Sequence, residues 1–265
     1  MGANARKKFF MNPVPDNFFS GNSDASQTAI NGDHLRGDYY AFEWGDALFV
    51  VIDPYWYTIT KPYPGTQGGE VDDEINGNGW DWTLGDTQRA WFKQTLESSS
   101  AKWKFVFSHQ VTGGTNLYGR GGAAAADELE WGAGPIAIGN QRPTWPDSTN
   151  IHQIMVENGV TIFFHGHDHV YAREEIDGMI YKECPQPCDI EYDSGFGEYT
   201  NNDSTLVINN SGHLRVKVEP TYVQVDYVRA YLPEAGTNGT IAHTYYIGSS
   251  AGIEDIEPEG YSLNL

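Results

Sequence analysis

The chain has 265 residues, of which 39% are hydrophobic and 14% aromatic, enough for the core of one large domain or two small ones. Thirty-six Asp and Glu against 16 Lys and Arg leave a formal charge of -20, which repels phosphate backbones and anionic lipid and excludes a generic nucleic-acid binder. No run approaches the roughly 18 apolar residues of a membrane span, and the two cysteines exclude a disulfide scaffold or a cysteine-rich zinc module.

The first 19 residues contain Arg6, Lys7 and Lys8 with no apolar stretch behind them, so they are not a secretory signal. Phe9, Phe10, Phe18 and Phe19 flank Pro13-Val14-Pro15, an ordered loop that needs a surface to pack on. Strands are predicted at Tyr39–Trp44 and Ala47–Ile52. A helix follows from an Asp86 cap to about Ser98, with Gln88, Trp91, Phe92, Thr95 and Leu96 on one face. It leads into a strand at Trp103–Ser108. A second helix starts near Asp147 or Ser148 and stops at Gly159, with Ile151, Ile154 and Met155 inward, and leads into a strand at Val160–Phe164. Both of these strands are almost wholly apolar, as when each face of a sheet is covered. After residue 200 the pattern alternates, with strands at Thr205–Ile208, Leu214–Val218, Tyr222–Val228 and Ile241–Ile247 and a hairpin turn at Glu219–Pro220. The reading is α/β over residues 1–200 and antiparallel β over 201–265.

Two long Gly-rich loops, 61–85 and 110–146, interrupt these elements, and loops of that length inside a domain are usually functional. Glu70, Asp72, Asp73, Glu74, Asn76, Asn78 and Asp81 in the first have calcium-binding composition. The twelfth position from Asp72 is Thr83 rather than Glu, so the EF-hand spacing fails and a solvated acidic loop is expected. Trp80, Trp82, Tyr118, Trp131 and Trp145 are expected to shape a pocket. Cys184 and Cys188, separated by Pro-Gln-Pro, suit either a small disulfide loop or two free thiols. Acidity and Gly-rich aromatic loops point to an extracellular or periplasmic protein, or to a saline habitat.

Three of the eight histidines fall in His165-Gly166-His167-Asp168-His169, immediately after the apolar strand 160–164. A fourth, His109, ends the other apolar strand. Ligands in open α/β sheets bind beyond the carboxyl ends of the strands, and neutral imidazole is a standard ligand for zinc, iron and manganese. Two strands of one sheet each delivering imidazole at that end therefore define a metal-site hypothesis. His34, His152, His213 and His243 lack such a context. The H-x-H-x-D-H zinc motif is one residue longer than this string. No H-E-x-x-H or GxxxxGK[ST] pattern occurs either.

Gly166-His167-Asp168-His169 followed by Val170-Tyr171-Ala172-Arg173 resembles the last motif, G-H-x-H, of calcineurin-like metallophosphoesterases, the superfamily that includes purple acid phosphatases. Ser108-His109 resembles the motif before it. Asp38–Asp53 resembles the family's strand pair and Leu84–Trp91 the helix that precedes the histidine strand. The resemblance spans about residues 1–175, with its pieces in the family's order. It implies a metallophosphoesterase-type β-sandwich flanked by helices, with the antiparallel strands as a C-terminal extension. It also implies two divalent or trivalent ions (Fe, Zn or Mn) clamping a small phosphoester. His109 and His167 would hold one ion and His169 the other, with Asp168 orienting them. Arg173 and Tyr171 stand near enough for substrate contact or serve structural pairing in the core, and Arg120 in Gly119-Arg120-Gly121-Gly122 either aims a guanidinium at phosphate or is a plain loop arginine.

The family's D-x-H, G-D-x-x-D and G-N-H-[DE] motifs have no counterpart in this chain. Gly21-Asn22-Ser23-Asp24 imitates the third but carries Ser for the histidine, and Gly32-Asp33-His34 stands alone. No catalytic residue is assigned. The expectation is a C-terminal portion whose partner is the missing N-terminal half of the same domain. Such a portion should bind metal weakly, hydrolyse phosphoesters poorly and expose aggregation-prone apolar faces. A non-catalytic binding domain and a mononuclear His-metal hydrolase are the alternatives.

Overall fold

The computed structural model describes residues 13–25, 35, 37–54, 84–114, 121–126, 129–131, 138–139, 149–189 and 205–248. The acidic calcium candidates of the first loop, Trp80, Trp82, Tyr118, Trp145, His34 and Arg120 lie outside them. In chain order the strands are β1 (Ser20–Gly21), β2 (Tyr40–Trp44), β3 (Ala47–Val51), β4 (Trp103–Phe107), β5 (Leu129–Trp131), β6 (Ile138–Gly139), β7 (Ile162–His165), β8 (Tyr171–Ile176), β9 (Met179–Glu183), β10 (Thr205–Ile208), β11 (Gly212–Val218), β12 (Tyr222–Arg229) and β13 (Ile241–Gly248). The helices are α1 (Gly85–Ser98) and α2 (Ile151–Glu157).

Eight strands form one mixed sheet in the order β1-β2-β3-β4-β7-β9-β8-β10, and β11-β12-β13 form a separate antiparallel meander. β3, β4, β7 and β9 are mutually parallel, joined by the α1 and α2 crossovers. The predicted strands are all present, within two residues at each end. The β8–β9 hairpin was not anticipated, although its turn, Asp177-Gly178, has positive φ at both residues (51° and 77°), the geometry that an Asp-Gly pair favours. β10 pairs with β8, so Thr205–Ile208 belongs to the first sheet and the meander starts at Gly212.

Strand alternation sends one set of side chains to each face of the large sheet. Leu48, Val50, Val106, Phe163, Met179 and Tyr181 meet Phe92 and Leu96 of α1 and Ile151, Ile154 and Met155 of α2 in one buried cluster. Trp103, Phe105, Ile162, Phe164 and Ile180 face the other way and pack on Val223, Val225 and Tyr245 of the meander. The layers are therefore helix, sheet and sheet: a β-sandwich flanked by helices on one side. Among the described residues, no helix is long and apolar enough to cross a membrane.

Both helix starts differ in detail from the sequence reading. α1 begins at Gly85, its N-cap Leu84 makes no side-chain capping bond, and Asp86 sits inside the first turn, where a carboxylate suits the helix dipole. Arg89 is buried there and donates to the Thr149 carbonyl at 2.5 Å, tying α1 to the entry of α2. α2 is capped by Asn150 through a complete capping box with Gln153.

The two sheets also meet through polar aromatics. Tyr171 stacks on Tyr227 at 4.4 Å and shares a 2.6 Å hydrogen bond with His243. The fully buried Lys182 donates to the Ala172 carbonyl at 2.6 Å and lies over the Tyr171 ring. Burial, with the positive charges of Lys182 and Arg173 adding to it, pushes the His243 imidazole down to about 3. The unfolded chain, with an ordinary histidine value of 6.5, therefore takes up this proton first as pH falls. The stability that neutral His243 contributes is intact above pH of about 6.5 and is lost progressively toward about 3, at up to about 1.4 kcal/mol per pH unit. Denaturant titrations across that window should show His243→Asn losing stability less steeply than the parent chain; identical slopes would show that His243 does not set the acid limb.

Candidate metal centre

β4 and β7 are parallel neighbours, with Phe107 opposite Phe164 in register. Both strands therefore end at the same edge of the sheet, and the residues that follow them leave side by side. The Gly166 N–H donates to the His109 carbonyl at 2.9 Å, holding the two exits together. His167 Nδ1 and His109 Nε2 come within 3.3 Å, and the rings stand nearly edge to face with centroids 5.2 Å apart. Two Zn–N bonds of about 2.0–2.1 Å at a tetrahedral angle place their nitrogens about 3.3 Å apart, so the pair has the spacing of two imidazoles on one ion.

Burial pushes the His109 imidazole below its ordinary value; the Glu183 carboxylate opposes this, while His169 and His165 reinforce it. The neutral, ligand-competent ring is thereby favoured. Ser108 Oγ, Gln110 Oε1 and Thr112 Oγ1, which flank His109 along the chain, are buried and have no hydrogen-bond partner among the described residues. Orphaned polar atoms beside a convergent imidazole pair fit a site that takes a ligand. Among the described residues no three His, Cys, Asp or Glu side chains are arranged to hold one ion. His169 is thus not gathered into a single ligand cluster with His109 and His167.

His167 and His169 both adopt left-handed backbone, with φ of 90° and 56°, a state costing a residue with a Cβ about 1 kcal/mol or more. Asp168 between them is buried, and its Oδ2 accepts the Gly121 N–H at 2.5 Å. It faces the protein interior rather than solvent. Arg173 is engaged elsewhere: its guanidinium lies over the Tyr245 ring at 4.8 Å and pairs with Glu175 at 2.9 Å. That places it in the contact between the two sheets. Tyr171 is likewise taken up by Tyr227 and His243. His152 pairs with Tyr181 at 2.7 Å and with Asp177 at 3.0 Å, and it has no part in the cluster.

Asn22 is more ordered than a loop residue. It is fully buried at the end of β1, donates to Asp38 Oδ1 at 3.0 Å and accepts the Asp24 N–H at 3.0 Å. β1 lies three strands from β4, about 14 Å across the sheet at a spacing of about 4.8 Å. This places it apart from the histidines. Sequence reasoning missed Glu183, which lies across from His165 of the histidine cluster with His165 Nδ1 2.5 Å from its Oε2, and Asn210, whose Nδ2 donates to the His169 carbonyl. No pattern in the run Met179-Ile180-Tyr181-Lys182-Glu183 marks that glutamate. Replacing Asn22 by Ala should cost about 1–3 kcal/mol, because it leaves the buried Asp38 carboxylate with the Tyr39 amide but without the Asn22 side chain, while leaving metal affinity unchanged. Urea melts and a cobalt titration on the same variant check both; weakened cobalt binding would make Asn22 a ligand.

A family description, calcineurin-like phosphoesterase, matches residues 3–171. Among solved structures, a PhoD structure is similar at a TM-score of 0.50 and 15% identity, covering 84% of this chain and 44% of that one. Purple acid phosphatase PPD1 from yellow lupin (Lupinus luteus) seeds is similar at a TM-score of 0.48 and 14% identity, covering 89% and 39%. GAP50, the anchor in the inner membrane complex of Plasmodium, follows at 0.47 and 12%, covering 80% and 54%. The chain thus spans about half the length of these proteins or less. No curated protein matches it.

Proposed function

The chain belongs to the calcineurin-like phosphoesterase family, and from that premise we propose that it hydrolyses phosphoesters with metal ions held at its histidine edge. The observation that carries this reading is the 3.3 Å approach of His109 Nε2 and His167 Nδ1 at the ends of two parallel strands. His109 and His167 would hold one ion and His169 a second, the ions being Fe, Zn or Mn. When bound, such ions polarise a phosphoryl oxygen and make a water acidic enough to attack at neutral pH. The protein's own contribution is positional. The strand ends fix where the imidazoles point, burial keeps His109 neutral, and the Gly121 amide is held beside the histidine turn by Asp168.

A small phosphoester is the proposed substrate class. Arg120 remains a proposed phosphate contact and lies outside the described residues, and Arg173 is better supported as a link between sheets. The runner-up is a non-catalytic domain, favoured by the lack of a three-ligand cluster among the described residues. A mononuclear hydrolase stands between the two readings.

Cobalt titration separates them. His109→Ala and His167→Ala should each weaken cobalt binding by at least about ten-fold, the loss of one of few ligands, and His169→Ala should remove one equivalent where two bind. Hydrolysis of p-nitrophenyl phosphate and of its bis ester should rise with added metal and vanish with chelator. Metal bound without turnover of either ester would move the non-catalytic reading ahead, and one tightly held ion with turnover would favour the mononuclear enzyme.

A further inference from the structure

The left-handed backbone of His167 and His169 persists only if neighbouring groups over-determine it, and those groups can be named. Glu183, fully buried at the end of β9, accepts through Oε1 the N–H of Asp168, the amide between the two strained residues, at 3.0 Å. Its Oε2 lies against His165 Nδ1 at 2.5 Å, so the carboxylate reaches the turn and the strand that precedes it. Asn210 donates to the His169 carbonyl.

Asp168 in turn passes the constraint outward. Its Oδ2 accepts the Gly121 N–H at 2.5 Å, and Glu174 Oε2, from β8, accepts the Ala123 N–H at 3.0 Å. Gly122 between them lies so close that a Cβ there would run into the Glu174 carboxylate. Two carboxylates thus grip alternate amides of one short segment, and Ala123 and Ala126 carry that segment into the core shared with the helices. The segment belongs to the long loop after His109, and the turn that carries His167 is tied to the same buried acidic cluster.

We propose that Glu183 is the positioning residue of the histidine turn, and that Asp168 and Glu174 dock Gly121–Ala123 onto it. Turn and segment then form one rigid unit around His109 and His167. The proposal rests on the reading of those histidines as metal ligands; the docking itself does not need metal.

Amide hydrogen exchange on the metal-free full chain tests the docking, and cobalt alone tests its consequence. Glu183→Ala should speed exchange at Asp168 and Gly121 by at least about ten-fold while α1 amides are unchanged. It should weaken cobalt binding about 10- to 100-fold, as loss of a group that orients ligands does. Glu183→Gln, which keeps an oxygen for the Asp168 amide, should restore both to within about three-fold. Leu96→Ala, in the helix-side core, should lower stability and move neither. Unchanged exchange at Asp168 and Gly121 in folded Glu183→Ala overturns the proposal, as does Leu96→Ala weakening cobalt equally. Should Glu183→Ala not fold, Asp168→Ala decides, since it must free the Gly121 amide; failure to do so overturns the docking. A parent chain that ignores cobalt while Glu183→Ala still loosens Asp168 and Gly121 would refute the metal reading and uphold the positioning.

Discussion

Everything at the candidate site follows from the in-register parallel pairing of β4 and β7. Parallel neighbours finish at one edge of a sheet, whereas antiparallel neighbours would have sent the two histidines to opposite ends. The register is held by large side chains: Phe107 and Phe164 stack at 5.0 Å with planes 12° apart, and Phe49 continues the row at 6.5 Å. A one-residue slip would move each of these rings to the other face, into the helix layer already filled by Val106 and Phe163. The packing of phenylalanines thus sets the spacing of imidazoles beyond the strand end.

Charge is distributed with similar economy. The chain is strongly acidic as a whole, yet its sheet-to-sheet contact is where basic side chains are wholly or partly buried: Lys182 over Tyr171, Arg173 over Tyr245 and Arg229 over Tyr227 and Tyr231. Aromatic faces attract these cations, and backbone carbonyls accept from Lys182 and Arg229. Burial holds the Lys182 amine well below its ordinary value. The helix-side layer beneath the histidine edge is the reverse, with Glu183, Glu174 and Asp168 buried and each accepting a backbone amide through one oxygen. Opposite signs occupy opposite faces of β8 and β9, as alternation requires.

The fold was legible wherever periodicity reports burial. The apolar strands 103–108 and 160–164, the alternating meander and the helix before the first histidine are each visible as a run or a period. The strand-end rule placed His109 and His167 together before any coordinates did. The β8 and β9 strands escaped because Tyr171-Ala172-Arg173-Glu174-Glu175 looks polar, although Glu174 is buried and Arg173 partly so. Arg173 shows a related limit. An arginine four residues after a metal-motif histidine looks like a substrate contact, and no pattern in a single sequence reveals that Tyr245, more than seventy positions later, takes its guanidinium. Glu183 shows the same limit, since its meaning lies in the amide of Asp168 and not in its own surroundings along the chain.

The pairing that creates the site also dates it in the folding sequence. The Lys104 amide meets Thr161 Oγ1 across 57 positions of chain, so a long loop must close before either histidine has its neighbour. The meander β11–β13, by contrast, is built from consecutive hairpins and needs no such closure. Local pairings form ahead of distant ones because less chain entropy is lost at once. The histidine pair therefore depends on a long-range closure that the meander does not need.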